Sequence, residues 1–126
     1  MAKKSAICGE YIITQEESGT IRVCKIFDNV LGSLREVAAT VGFEIDPKWN
    51  TRQTGSNLIK AHGEGKMAEI GEYTIVKREN GAIETYRVYD NTKGALREIA
   101  ESIGFEFDPD WTTRQFGSKL INEINK

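Results

Sequence analysis

Shifting the chain along itself by about 62 positions lays Gly9 to Lys60 on Gly71 to Asn122 without a gap, and roughly half of the aligned residues are identical. The strongest runs are Gly42-Phe43-Glu44 on Gly104-Phe105-Glu106, Asp46-Pro47 on Asp108-Pro109 and Thr51-Arg52-Gln53 on Thr113-Arg114-Gln115. Asp28-Asn29, Leu34-Arg35-Glu36, Trp49 and Gly55-Ser56 recur as Asp90-Asn91, Leu96-Arg97-Glu98, Trp111 and Gly117-Ser118. A match of this length reads as a tandem duplication. Whatever fold the first copy takes, the second is expected to take as well, and the positions kept twice are the ones to explain.

Each copy opens on two stretches rich in β-branched and aromatic residues. They are Tyr11 to Thr14 and Thr20 to Phe27, around Glu17-Ser18-Gly19, then Tyr73 to Val76 and Ala82 to Tyr89, around Asn80-Gly81. This pattern predicts a β-hairpin, with Asn-Gly supplying the positive φ angles of a two-residue loop. After Asp28-Asn29 and Asp90-Asn91, residues suited to helix caps, the period lengthens. Leu34, Val37, Ala38 and Val41, and Leu96, Ile99, Ala100 and Ile103, then fall at helical spacing and predict a helix that Gly42 or Gly104 ends in a left-handed conformation.

Phe43-Glu44-Ile45 and Phe105-Glu106-Phe107 run into Asp-Pro and read as extended loops, with Asp46 and Asp108 as Asx turns. Asn50 and Thr112, each three residues before a glutamine (Gln53 and Gln115), predict a capping box that opens a second helix. Leu58, Ile59, Leu120 and Ile121 would form its buried stripe. Gly55 and Gly117 lie inside that helix at a cost of about 1 kcal/mol each relative to Ala, which implies close approach by another helix or a ligand.

The expected fold is therefore α+β, a tandem duplication of a ββαα unit. The first copy is placed at residues 1–62, a Gly-Glu-Gly linker at 63–70 and the second copy at 71–126. A unit of about 50 residues is marginal alone. The two copies are accordingly expected to pack around a pseudo-twofold axis, their hairpins sharing one antiparallel sheet covered by four helices, with two beads on the linker as the alternative. Trp49 and Trp111 are expected in the core, with exposed stacking platforms as the alternative.

The 126 residues, 39% hydrophobic and 29% charged, fall in the globular range, and a net charge of -2 lacks the positive excess of a typical nucleic-acid binder. No apolar run approaches the roughly 18 residues of a membrane span, and no signal-peptide core follows Met1 to Ser5, so a cytoplasmic chain without a membrane partner is expected. Cys8 and Cys24 carry no metal or framework spacing and read as small apolar side chains or free thiols.

Chemistry is sparse. His62, the only histidine, falls at the linker edge, and no His or Cys is kept in both copies. No phosphate-cradling glycine motif, calcium loop or cofactor signature is present, so no enzyme is expected; a carboxylate site remains as the catalytic alternative. The polar constellation kept twice is Thr-Arg-Gln-x-Gly-Ser. The candidate binding residues are Arg52, Gln53 and Ser56 in the first copy and Arg114, Gln115, Ser118 and Lys119 in the second. In one reading Gln caps the helix and Arg pairs with Glu44 or Asp46. In the other, the forked donors of Arg and Gln meet a partner's phosphates, carboxylates or base edges.

Leu34 to Gly42 and Leu96 to Gly104 resemble the first helix and turn glycine of helix-turn-helix DNA-binding proteins. The resemblance implies that a second helix enters the major groove by its N-terminus, with Arg52, Gln53, Arg114 and Gln115 as readers. The leading expectation is a non-catalytic interaction module for a protein partner or self-association, and nucleic-acid binding is the alternative.

Overall fold

In the computed structural model, which describes residues 4–126, the chain is α+β. The strands are β1 (Lys4–Cys8), β2 (Tyr11–Gln15), β3 (Ile21–Ile26), β4 (Met67–Ile70), β5 (Tyr73–Lys77) and β6 (Ile83–Val88). The helices are α1 (Val30–Val41), α2 (Thr51–His62), α3 (Thr92–Ile103) and α4 (Thr113–Ile124). The strands form one six-stranded sheet in the order β1-β2-β3-β6-β5-β4.

Two strands go beyond the sequence expectation. β1 pairs antiparallel with β2, Cys8 opposite Tyr11, and β4 pairs antiparallel with β5, Ile70 opposite Tyr73. The segment 63–70 is thus linker only in its first residues, because Met67–Ile70 enters the sheet. Each of these hairpins turns on a two-residue loop, Gly9-Glu10 or Gly71-Glu72, whose glycine has φ +56 or +58 while the glutamate stays in the ordinary region. That is the φ pattern of a type II′ loop. The predicted β2–β3 and β5–β6 hairpins form as well, but by a different turn. Asn80 does not take a positive φ; Gly81 does, at +91, after a turn closed by the Gly81 N–H donating to the Arg78 carbonyl at 2.9 Å. Gly19 repeats this with Glu16 at 2.8 Å, giving three-residue loops closed by a glycine bulge.

The helix ends follow the sequence closely, with one correction. The caps of α1 and α3 are Asn29 and Asn91 rather than Asp28 and Asp90: each asparagine Oδ1 accepts from a glycine N–H, Gly32 or Gly94, at 3.0 Å. Gly42 and Gly104 adopt φ +68 and +70, and the next N–H, of Phe43 or Phe105, donates back to Ala38 or Ala100 at 2.8 Å. This arrangement satisfies carbonyls that the helix end leaves open.

The chain divides into two compact units whose boundaries cut across the two similar sequence segments. The first joins the N-terminal residues up to Lys25 with Val88–Lys126; the second is Ile26–Arg87. In the first, Ala6, Tyr11, Ile13, Ile21 and Val23 of β1–β3 pack with Leu96, Ile99, Phe116, Leu120 and Ile121 of α3 and α4. In the second, Ala68, Ile70, Tyr73, Ile75 and Ile83 of β4–β6 pack with Leu34, Val37, Ala38, Leu58 and Ile59 of α1 and α2. Strands β1–β3 are thus covered by α3 and α4, and strands β4–β6 by α1 and α2.

The same pairing explains the helical glycines. A Cβ on Gly117 would come within 2.6 Å of the Ile21 side chain, and one on Gly55 within 2.7 Å of Ile83. The close neighbour is a strand isoleucine, not a helix or a ligand.

Candidate interaction site

Gln53 and Gln115 are taken up by their own helices. The Asn50 N–H donates to Gln53 Oε1 at 2.9 Å while the Gln53 N–H donates to Asn50 Oδ1 at 2.8 Å. Thr112 and Gln115 repeat the reciprocal box at 2.8 and 3.2 Å. Arg52 and Arg114 are exposed in the first turns of α2 and α4. Among the described residues neither forms an ion pair with Glu44, Asp46 or their counterparts, so the expected local pairing is not made. Instead each guanidinium lies against a hairpin turn of its own compact unit. A Cβ on Gly81 would fall 3.2 Å from Arg52 Nη1, and one on Gly19 would fall 3.2 Å from Arg114 Nη1.

Ser56 and Ser118 are half-buried. Ser56, Asn57, Ile59 and Lys60 line an open groove of about 440 Å³ together with Gly63, Gly65 and Lys77. Lys119 is exposed and holds its Nζ 5.2 Å from the centre of the Trp111 ring.

The loops between the paired helices carry the two tryptophans. Asp46 Oδ1 accepts from the Lys48 N–H at 2.9 Å, and Asp108 Oδ1 from the Asp110 N–H at 2.8 Å, so the Asx turns form as the sequence predicts. Each turn folds its tryptophan back over the phenylalanine that follows the helix-ending glycine. Ring centres are 6.2 Å apart for Phe43 and Trp49 and 6.3 Å for Phe105 and Trp111. Neither tryptophan is fully buried, though Trp111 packs against the apolar core of the first unit; both are half-buried beside exposed acids, Glu44 and Asp46 in one loop and Glu106, Asp108 and Asp110 in the other. His62 ends α2 and meets Phe43 edge-on at 6.0 Å.

Sequence reasoning missed two tyrosine–carboxylate pairs. The buried Tyr11 hydroxyl donates to Glu98, and the Tyr73 hydroxyl donates to Glu36. Burial, then the Glu98 bond, pushes the Tyr11 phenol up from its ordinary pKa; for Tyr73 the Glu36 bond leads and burial follows. Cations sit over both tyrosines: Lys25 Nζ lies 5.8 Å from the Tyr11 ring centre and 5.6 Å from Tyr89, and the Arg87 guanidinium 5.8 Å from Tyr73 and 5.9 Å from Phe27. Retention of Tyr and Glu in both copies was the available signal, but no helical or strand period links residues so far apart.

Among the described residues no group of three or more His, Cys, Asp or Glu side chains is placed to hold a metal ion, and no helix is long and apolar enough to cross a membrane. Cys8 is half-buried and Cys24 is buried. Compared with protein-family models, curated proteins and solved structures, the chain matches none.

Proposed function

We propose that the chain is a non-catalytic protein-interaction module built by tandem duplication of a unit that, with β1 and β4 included, is βββαα. The observation that carries this reading is the pair of equivalent loops, each holding a half-buried tryptophan on a phenylalanine among exposed acids. Large, rigid aromatic rings supply contact area at small entropic expense, and interfaces favour them for that reason. The commitment of Gln53 and Gln115 to capping boxes argues in the same direction, since it occupies two of the four residues that a helix-turn-helix reader would need free.

Affinity capture under nuclease treatment tests the reading. A protein partner retained by the wild-type chain and lost with Trp49→Ser plus Trp111→Ser supports it; recovery of nuclease-sensitive nucleic acid alone overturns it.

Nucleic-acid binding is the second reading, favoured by the exposure of Arg52, Arg114 and Lys119, none of which is in an ion pair among the described residues. It calls for duplex or single-stranded DNA binding that falls steeply with salt and is lost in Arg52→Ala plus Arg114→Ala.

A further inference from the structure

The two tryptophan loops match in sequence but differ in what covers the indole. Over Trp111 lies the ammonium of Lys119, 5.2 Å from the ring centre, and Phe116 packs beside the ring at 6.2 Å. At the matching positions of the first copy stand Asn57 and Thr54. The Asn57 amide turns back along its own helix, donating to the Gln53 carbonyl at 2.9 Å, and Thr54 Oγ1 donates to the Asn50 carbonyl at 3.0 Å. Both side chains are spent on α2. Among the described residues no lysine or arginine lies over Trp49, whose ring nonetheless remains half-exposed beside Glu44 and Asp46.

We infer that Trp49 is the docking site for a lysine side chain of a partner protein's basic segment, and that Trp111 is the same site closed by Lys119 from its own chain. The inference rests on the interaction-module reading and names the partner's chemistry. An ammonium over an indole face is held by the ring quadrupole, most strongly for Trp among the aromatic residues. The Lys119–Trp111 contact shows that this loop and helix geometry brings an ammonium to the ring. Glu44 and Asp46 are exposed on the Trp49 loop and, even with the exposed Lys48 before the tryptophan, leave it net negative, the charge that complements a lysine. Lys25 over Tyr11 and Arg87 over Tyr73 are the same device used inside the fold.

Acetylated hexalysine amide, titrated at low salt with tryptophan fluorescence and calorimetry as readouts, tests the assignment. Asn57→Lys installs the closing lysine on Trp49, and Lys119→Asn removes it from Trp111. The expected result is a single site on the wild type, weakened about 2- to 30-fold by Asn57→Lys, and a second site in Lys119→Asn. Asn122→Lys, at an exposed position on α4, adds the same charge in the other compact unit and is expected to leave the Trp49 site nearly unchanged. Equal weakening by Asn57→Lys and Asn122→Lys, or no second site in Lys119→Asn, overturns the inference. If a captured protein partner is held as well by Asn57→Lys as by the wild type, the lysine site falls and the module stands. If the peptide behaves as expected but no protein partner is captured, the module reading falls instead.

Discussion

The Tyr11 hydroxyl donates its hydrogen bond to Glu98, a residue 87 positions further along the chain, and Tyr73 donates to Glu36, 37 positions back. Each bond runs from a strand of one copy to the first helix of the other. The same crossing governs the two apolar cores and the isoleucines that fill the space over Gly55 and Gly117. A strand-to-helix bond to a charged acceptor adds direction to what apolar burial does without direction.

Tyr11→Phe and Tyr73→Phe should each lower stability by about 1–2 kcal/mol, since a hydrogen bond to a charged group is worth somewhat more than a neutral one. Urea unfolding of Tyr11→Phe, Glu98→Ala and the double variant should show coupling between the two residues. Additive losses would mean that the pair does not act as a bond.

Raised phenol pKa values make the folded state sensitive to alkali. Tyr11, Tyr73 and Tyr86 hold their protons more tightly when folded than the ordinary value of 10.0 allows, for Tyr11 and Tyr86 chiefly through burial and for Tyr73 chiefly through its bond to Glu36. Above that pH the unfolded chain binds fewer protons than the folded one, so stability is fully present below about pH 10 and declines as pH rises toward the folded values. Denaturation midpoints measured from pH 8 to 11 should fall at the upper end, and Tyr11→Phe plus Tyr73→Phe should flatten that fall.

Local rules were legible in the sequence wherever a few neighbouring residues decide the geometry. Gly42 and Gly104 end helices because a left-handed residue is needed there, and Asn50-x-x-Gln53 closes a capping box within four residues. β1 and β4 escaped because Lys-Ser-Ala-Ile-Cys and Met-Ala-Glu-Ile are short, and pairing with β2 and β5 rather than propensity makes them strands. Asp28 and Asp90 looked like caps as much as the asparagines after them; which residue caps depends on where the chain leaves the strand. The crossing of strands and helices between copies was not readable at all. The copies are similar enough that either helix pair satisfies the pattern of either hairpin, and only the spatial path of the chain decides. The candidate site was legible as positions kept twice, while the difference at Asn57 and Lys119 gained meaning only once Trp111 was seen beneath the lysine.

Gly117→Ala should destabilise by about 1–3 kcal/mol, the usual range for overpacking, because the added methyl would meet Ile21 at 2.6 Å. Combining it with Ile21→Ala should cost less than the sum of the two single changes. Gly55→Ala with Ile83→Ala should behave alike, and strict additivity would place the clash elsewhere.

Gly104→Ala offers a contrast. Nothing lies within 4 Å of a Cβ at that position, but φ is +70, so the expected loss of about 1 kcal/mol is purely conformational. No change in a partner residue should rescue it, which thermal unfolding of Gly104→Ala against Gly104→Asn can check, asparagine tolerating that conformation better.

The cover of β1–β3 by α3 and α4, and of β4–β6 by α1 and α2, is tested most directly by expressing residues 1–62 and 63–126 separately. Each piece then lacks the helices that cover its own strands. Neither should form a folded monomer by amide dispersion and sedimentation, and mixing the two should restore the spectrum of the intact chain. A half that folds alone as a stable monomer, its strands packed on its own helices, would contradict the account.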